Sequence, residues 1–140
     1  MSIPFQIHDF ISGLPEAKQA DVLFLHTRIQ ELMPGCKLWF LDGIKNGKVI
    51  ANPNIGYGHH TIKYANGSTR EFYRIGISPN KTGVSIYIMG LPNNKILEEK
   101  FSSRIGKATV SGYCVKLKTL ENVDSAVLHE IIQFGANLGY

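Results

Sequence analysis

The sequence predicts an α+β two-layer domain: an antiparallel sheet of five or six strands, with N-terminal and C-terminal helices packed on one face. Three observations carry this. Apolar residues recur at helical spacing near both ends, the stretch between them alternates with period two, and Asp42-Gly43, Asn46-Gly47 and Asn66-Gly67 punctuate that stretch with turns.

From Pro15 to Met33, Val22, Leu25, Ile29, Leu32 and Met33 form one stripe, widened by Ala20 and Phe24. Ser12 or Asp9 is the expected cap, Pro15 suits a first turn, and Pro34-Gly35 ends the helix. Strands follow at Lys37–Leu41 and Val49–Ala51. His60–Ala65 and Phe72–Ser78 form a hairpin around Asn66-Gly67, with a link longer than a two-residue turn. Val84–Met89 alternates Val84, Ile86 and Ile88 against Ser85, Tyr87 and Met89. A short helix is expected over Asn94–Arg104, and a last strand over Tyr113–Lys118. Asn122 or Asp124 caps the final helix, whose stripe is Val127, Leu128, Ile131 and Leu138. On this register Trp39, Tyr73, Ile75, Ile77, Val84, Ile86, Ile88, Val115 and Leu117 face the helices.

The 140 residues fit one domain, and 44% hydrophobic with 19% charged residues is a globular rather than a disordered composition. Cys36 and Cys114 stand far apart with no C-x-x-C, no signal-peptide pattern opens the chain, and no apolar run approaches a membrane span. A cytoplasmic protein with reduced thiols is the expectation. Charge is uneven: residues 35–118 hold thirteen basic against four acidic side chains, a balance of +9, while the ends carry −5. The middle of the chain therefore presents a positive field.

Catalytic and metal motifs find little support. His59-His60 are neighbours on a strand and point to opposite faces, so they cannot chelate one ion together. Ser78-Pro79-Asn80-Lys81 spells S-x-x-K without the helical turn that brings lysine to serine, and Gly56-Tyr57-Gly58 lacks the third glycine of a dinucleotide loop and reads as a strand-entry bend. No catalytic residue, cofactor or metal ligand is assigned. The lead is a basic, aromatic-bearing sheet face comprising Lys63, Arg74, Lys81 and Lys116, with His60 and Tyr64, able to hold phosphates or stack planar groups.

A wider pattern runs from Ile11-Ser12-Gly13-Leu14-Pro15 through Trp39, Gly56-Tyr57-Gly58 and Lys63-Tyr64-Ala65-Asn66-Gly67. It continues through Gly76-Ile77-Ser78-Pro79 with Lys81, Ile86-Tyr87-Ile88, Ile105-Gly106-Lys107, Cys114-Val115-Lys116-Leu117-Lys118 and Val123-Asp124. In order and spacing this resembles the YdhG-like domain family, small proteins largely of unknown function. Related members are labelled frataxin-like intracellular iron chaperones, so the resemblance implies metal handling as an alternative function. The chain departs from that pattern at His60-Thr61-Ile62, where a Tyr-His-Tyr run is usual, and at Asn80, where arginine is usual. No role of the family's histidine or arginine is carried over. Carboxylates are sparse in the sheet region (Asp42, Glu71, Glu98, Glu99), which argues against a hard-cation carrier. The expected function is non-catalytic binding of an anionic ligand or acidic partner, with nucleic acid among the candidates. Iron or metal chaperoning is second and small-molecule catalysis third.

Overall fold

The computed structural model describes residues 2–140. In chain order the elements are α1 (Ile3–Ser12), α2 (Glu16–Leu32), β1 (Leu38–Leu41), β2 (Ile44–Lys45), β3 (Lys48–Val49), β4 (Asn54–Tyr57), β5 (His60–Lys63), β6 (Thr69–Phe72) and β7 (Ile75–Asn80). They continue with β8 (Gly83–Ile88), α3 (Ile96–Phe101), β9 (Ala108–Ser111), β10 (Cys114–Leu117) and α4 (Ser125–Ala136). The main sheet has six strands in the order β1-β4-β7-β8-β10-β9, all pairs antiparallel. The predicted α+β class and strand number hold.

Residues of one parity meet the helices. Ile55, Tyr57, Ile75, Ile77, Val84, Ile86, Ile88, Val115 and Leu117 share one core with Ile7 and Ile11 of α1, Val22, Leu25 and Ile29 of α2, and Val127, Leu128, Ile131 and Ile132 of α4. Each fully buried branched side chain contributes about 1.5–3 kcal/mol of transfer free energy, so this layer dominates the stability. Gly135 lets α4 settle on the sheet, since a Cβ there would stand 2.9 Å from Ile75 Cδ1.

Several local expectations change. Residues 3–12 form a helix that was not predicted, capped by Ser2 and seated by Ile7 and Ile11. Asp9 and Ser12 therefore lie inside α1, and α2 starts at Pro15 with no side-chain cap. Asp124 does cap α4, accepting from the amides of Ala126 and Val127. Gly56-Tyr57-Gly58 is not an entry bend: Gly56 and Tyr57 are strand residues of β4, and only Gly58, at φ +82°, turns. The Val49–Ala51 run does not join the main sheet, because β3 pairs only with β2 in an exposed ribbon. Strand β9 was also unpredicted.

The most consequential change is in the run from Phe72 to Ser78, which is two strands rather than one. The β4–β7 pairing (Tyr57 opposite Ile75) and the β5–β6 pairing (His60 opposite Phe72) keep one register, but Gly58-His59 and Tyr73-Arg74 break the ladder between them. Alternation cannot be carried across that break. Tyr73, expected toward the helices, lies on the opposite face over Gly56 and Gly76. Arg74, expected on the free face, turns toward the carboxyl end of the chain. Trp39 is also reversed: it sits opposite Gly56, while its neighbours Leu38 and Phe40 pack on the core.

Candidate functional site on the free face of the sheet

The pairings place two rows across the face away from the helices. One row runs Trp39, Gly56, Gly76, Tyr87, Cys114, Ser111, and the next runs Ser78, Ser85, Lys116, Thr109. The two glycines leave room for a ring. Tyr73 fills it: a Cβ on Gly56 or Gly76 would stand 2.4 Å from its ring, and its hydroxyl donates to Asn54 Oδ1 at 2.9 Å.

From this ring an aromatic band extends in both directions. Phe72 stacks on Tyr73 with centroids 4.1 Å apart, and Trp39 meets Phe72 edge-on at 6.1 Å. Tyr87 and Tyr113 pair at 5.9 Å, and Tyr113 is 53% exposed. Burial, reinforced by the neighbouring Tyr87 and Tyr113, pushes the Tyr73 phenol far above its ordinary value, so it remains a neutral donor. Cations flank the band. Lys37 Nζ lies 4.2 Å from the Trp39 ring centre and Arg70 Cζ lies 5.1 Å from that of Phe72.

Beside Tyr87 the same face sinks into a polar pocket of about 260 Å³, lined by Asn52, Asn80, Thr82, Ser85, Tyr87 and Lys116 among others. The two-residue turn Lys81-Thr82 forms its rim. Asn80 Oδ1 accepts from the Thr82 amide at 3.1 Å, and Asn80 Nδ2 donates to Ser85 Oγ at 3.3 Å. From the helix side, Lys18 Nζ donates to the Asn80 carbonyl and pins this end of β7. Lys116 is the charged residue of the lining, and among the described residues neither its ammonium nor the Tyr87 hydroxyl has a hydrogen-bond partner. Burial pushes the Cys114 thiol up, so this buried sulfur is a neutral neighbour rather than a nucleophile.

The six residues named from sequence do not converge. Lys116 lines the pocket and Lys81 is exposed in the turn at its rim, whereas Lys63 and Tyr64 lie out at the tip of the β5–β6 arm. β7 alone is six residues long, about 20 Å, so the arm and the pocket sit at opposite ends. Arg74 is only 8% exposed and belongs to no surface: Nε donates to the Gly139 carbonyl at 2.7 Å, Nη1 to Met89 at 2.8 Å and Nη2 to Leu138 at 3.4 Å. It is a clip that holds the carboxyl end to the end of β7 and β8. The His60 ring stands against Gly90, and burial, then the nearby Arg74 cation, lowers its pKa. His59 pairs instead with Glu71. Sequence reading missed Tyr73, Tyr87, Tyr113, Ser85 and Lys37 as site residues. The signal for Tyr87 and Ser85 was their alternation against Val84, Ile86 and Ile88, and for Lys37 its place two residues before Trp39, whereas Tyr113, in the turn before β10, has the opposite parity to Lys116 and gave no such signal.

Among the described residues no group of three His, Cys, Asp or Glu side chains could hold a metal ion, and no helix is long and apolar enough to cross a membrane. No family model matches the chain, and neither does any curated protein or solved structure.

Proposed function

We propose that the free sheet face is a non-catalytic binding surface for a small anionic molecule bearing a planar ring. The phosphate or carboxylate enters the pocket at Lys116, and the ring lies on Tyr87 and Tyr113. The observation that carries this reading is the Lys116 ammonium and the Tyr87 hydroxyl, both without a hydrogen-bond partner among the described residues, lining one polar pocket beside an exposed ring. An ammonium is a compact point charge that suits an oxyanion, and an exposed aromatic face accepts a planar group without sequence-like selectivity. The pocket offers no base next to a nucleophile and no chelating cluster, which favours binding over turnover. Membership of the YdhG-like family and a cytoplasmic location belong to the same proposal. The motif order over most of the chain supports the first, and two free cysteines support the second.

Amide shifts followed by NMR during titration with inorganic phosphate and with a nucleoside monophosphate test it. Perturbations should centre on Ser85, Tyr87 and Lys116, should be larger for the nucleotide, and should weaken as salt rises above about 0.1 M, where the Debye length falls to about 10 Å. Lys116→Glu should abolish them while Lys63→Glu leaves them intact. A single-stranded oligonucleotide compared with heparin shows whether the whole band to Trp39 is used. Shifts that are absent at low salt, or indifferent to Lys116→Glu, overturn the reading.

A further inference from the structure

A second concavity lies on the other layer and has no part in the surface above. It is a groove of about 570 Å³ between the first half of α2 and the connection from β10 into α4. Ala17, Ala20 and Phe24 form one wall, and Leu120, Val123 and Leu128 form the other. Two alanines keep it open where α2 would otherwise close on the connection. Its volume lies within the range of small-molecule sites, roughly 300–1,000 Å³, and its walls are apolar with few polar groups, as such sites are.

The two charged residues that line it are both carboxylates, Asp21 and Glu121, and among the described residues neither is in an ion pair. Asp21 commits one oxygen, Oδ2, to the Leu120 amide at 3.3 Å, which fixes the carboxylate at the groove wall. Local cations are directed elsewhere. Lys18 reaches back to the Asn80 carbonyl, and Lys107 with Lys118 lines a separate neighbouring depression that Glu121 also borders. The amides at the start of α4 that could attract an anion are already taken, since Asp124 caps Ala126 and Val127. Negative charge over an apolar trench selects one ligand class. We infer that this groove binds an amphipathic cation: an apolar body of about six to eight carbons lying between Phe24 and Leu120, with its ammonium between Asp21 and Glu121.

Three amphiphiles of equal length test this on the intact chain: octylammonium, octanol and octanoate. Amide shifts should move at Ala20, Leu120 and Ser125, with octylammonium binding about tenfold more tightly than octanol and octanoate weakest. That preference should shrink with salt. Asp21→Asn combined with Glu121→Gln keeps the acceptor for the Leu120 amide but removes both charges, and should make the ammonium and the alcohol bind alike. Ala20→Leu, which narrows the trench, should weaken all three. Equal binding of the three amphiphiles to the wild type overturns the inference without any variant, as do shifts spread over the free sheet face or a preference that survives the double change.

Discussion

At the scale of single residues, two buried polar groups carry predictable consequences. Arg74 satisfies carbonyls of Gly139, Met89 and Leu138 that would otherwise be left in a dry joint. Arg74→Met should cost roughly 2–3 kcal/mol, the range for charge-assisted hydrogen bonds lost with their partners left unsatisfied, measured as a lower urea midpoint. Phosphate shifts at Lys116 should not change, and a variant that folds as stably as the wild type would deny the clip. His26 Nδ1 lies 2.6 Å from the hydroxyl of the buried Tyr57, and burial lowers the His26 pKa. A neutral imidazole can accept from that hydroxyl; an imidazolium cannot. Below its ordinary value of about 6.5 the unfolded chain takes up a proton that the folded chain refuses, so stability is present above that pH and is lost as pH falls toward the lowered folded value. Urea midpoints at pH 5 to 8 should rise with pH, and His26→Gln, which keeps a hydrogen-bonding side chain without titrating, should flatten part of that rise. An unchanged profile would assign the effect elsewhere.

At the scale of elements, the β4–β7 pair shows how a bare strand pair is finished by a side chain. Gly56 and Gly76 face each other, and neither has a positive φ, so alanine is tolerated by the backbone at both. The obstacle is the Tyr73 ring. Gly76→Ala should therefore cost about 1–3 kcal/mol by overpacking, and most of that cost should vanish in a Tyr73→Ala background. An additive double-mutant cycle in chemical denaturation would mean that the ring does not rest on the glycines. This element also explains what was legible in the chain. Val84, Ile86 and Ile88, or Val115 and Leu117, alternate within unbroken strands, and their faces were read correctly. In Leu38-Trp39-Phe40-Leu41 every residue is apolar, so no alternation exists to fix the face of Trp39. Residues 3–12 carry a readable helical spacing at Ile3, Ile7, Phe10 and Ile11 with Ser2 and Pro4 at its start, but the run is short and its stability comes from tertiary packing, the burial of Ile7 and Ile11 with Phe10 against Phe40.

At the scale of the whole molecule, protection should follow the layers. Amide exchange should be slowest in β7 and β8, which are central in the sheet, and fastest in the β2–β3 ribbon and the tip of the β5–β6 arm, whose residues are exposed. An arm as protected as β7 would mean that it packs on something in solution. Local chemistry by itself determined that the chain is α+β, that helices flank the strands, where α2 and α4 lie, that Asp124 caps, and that Lys116 points away from the core. Each follows from periodicity or from a turn within a few residues. Only the tertiary structure decided which cations share a surface. Gly58-His59 and Tyr73-Arg74 interrupt the ladder, and the two side chains at that step, Tyr73 and Arg74, leave the faces that alternation assigns them while the register resumes beyond. Side-chain direction along a strand is a parity, and the residues at an irregular step are released from it.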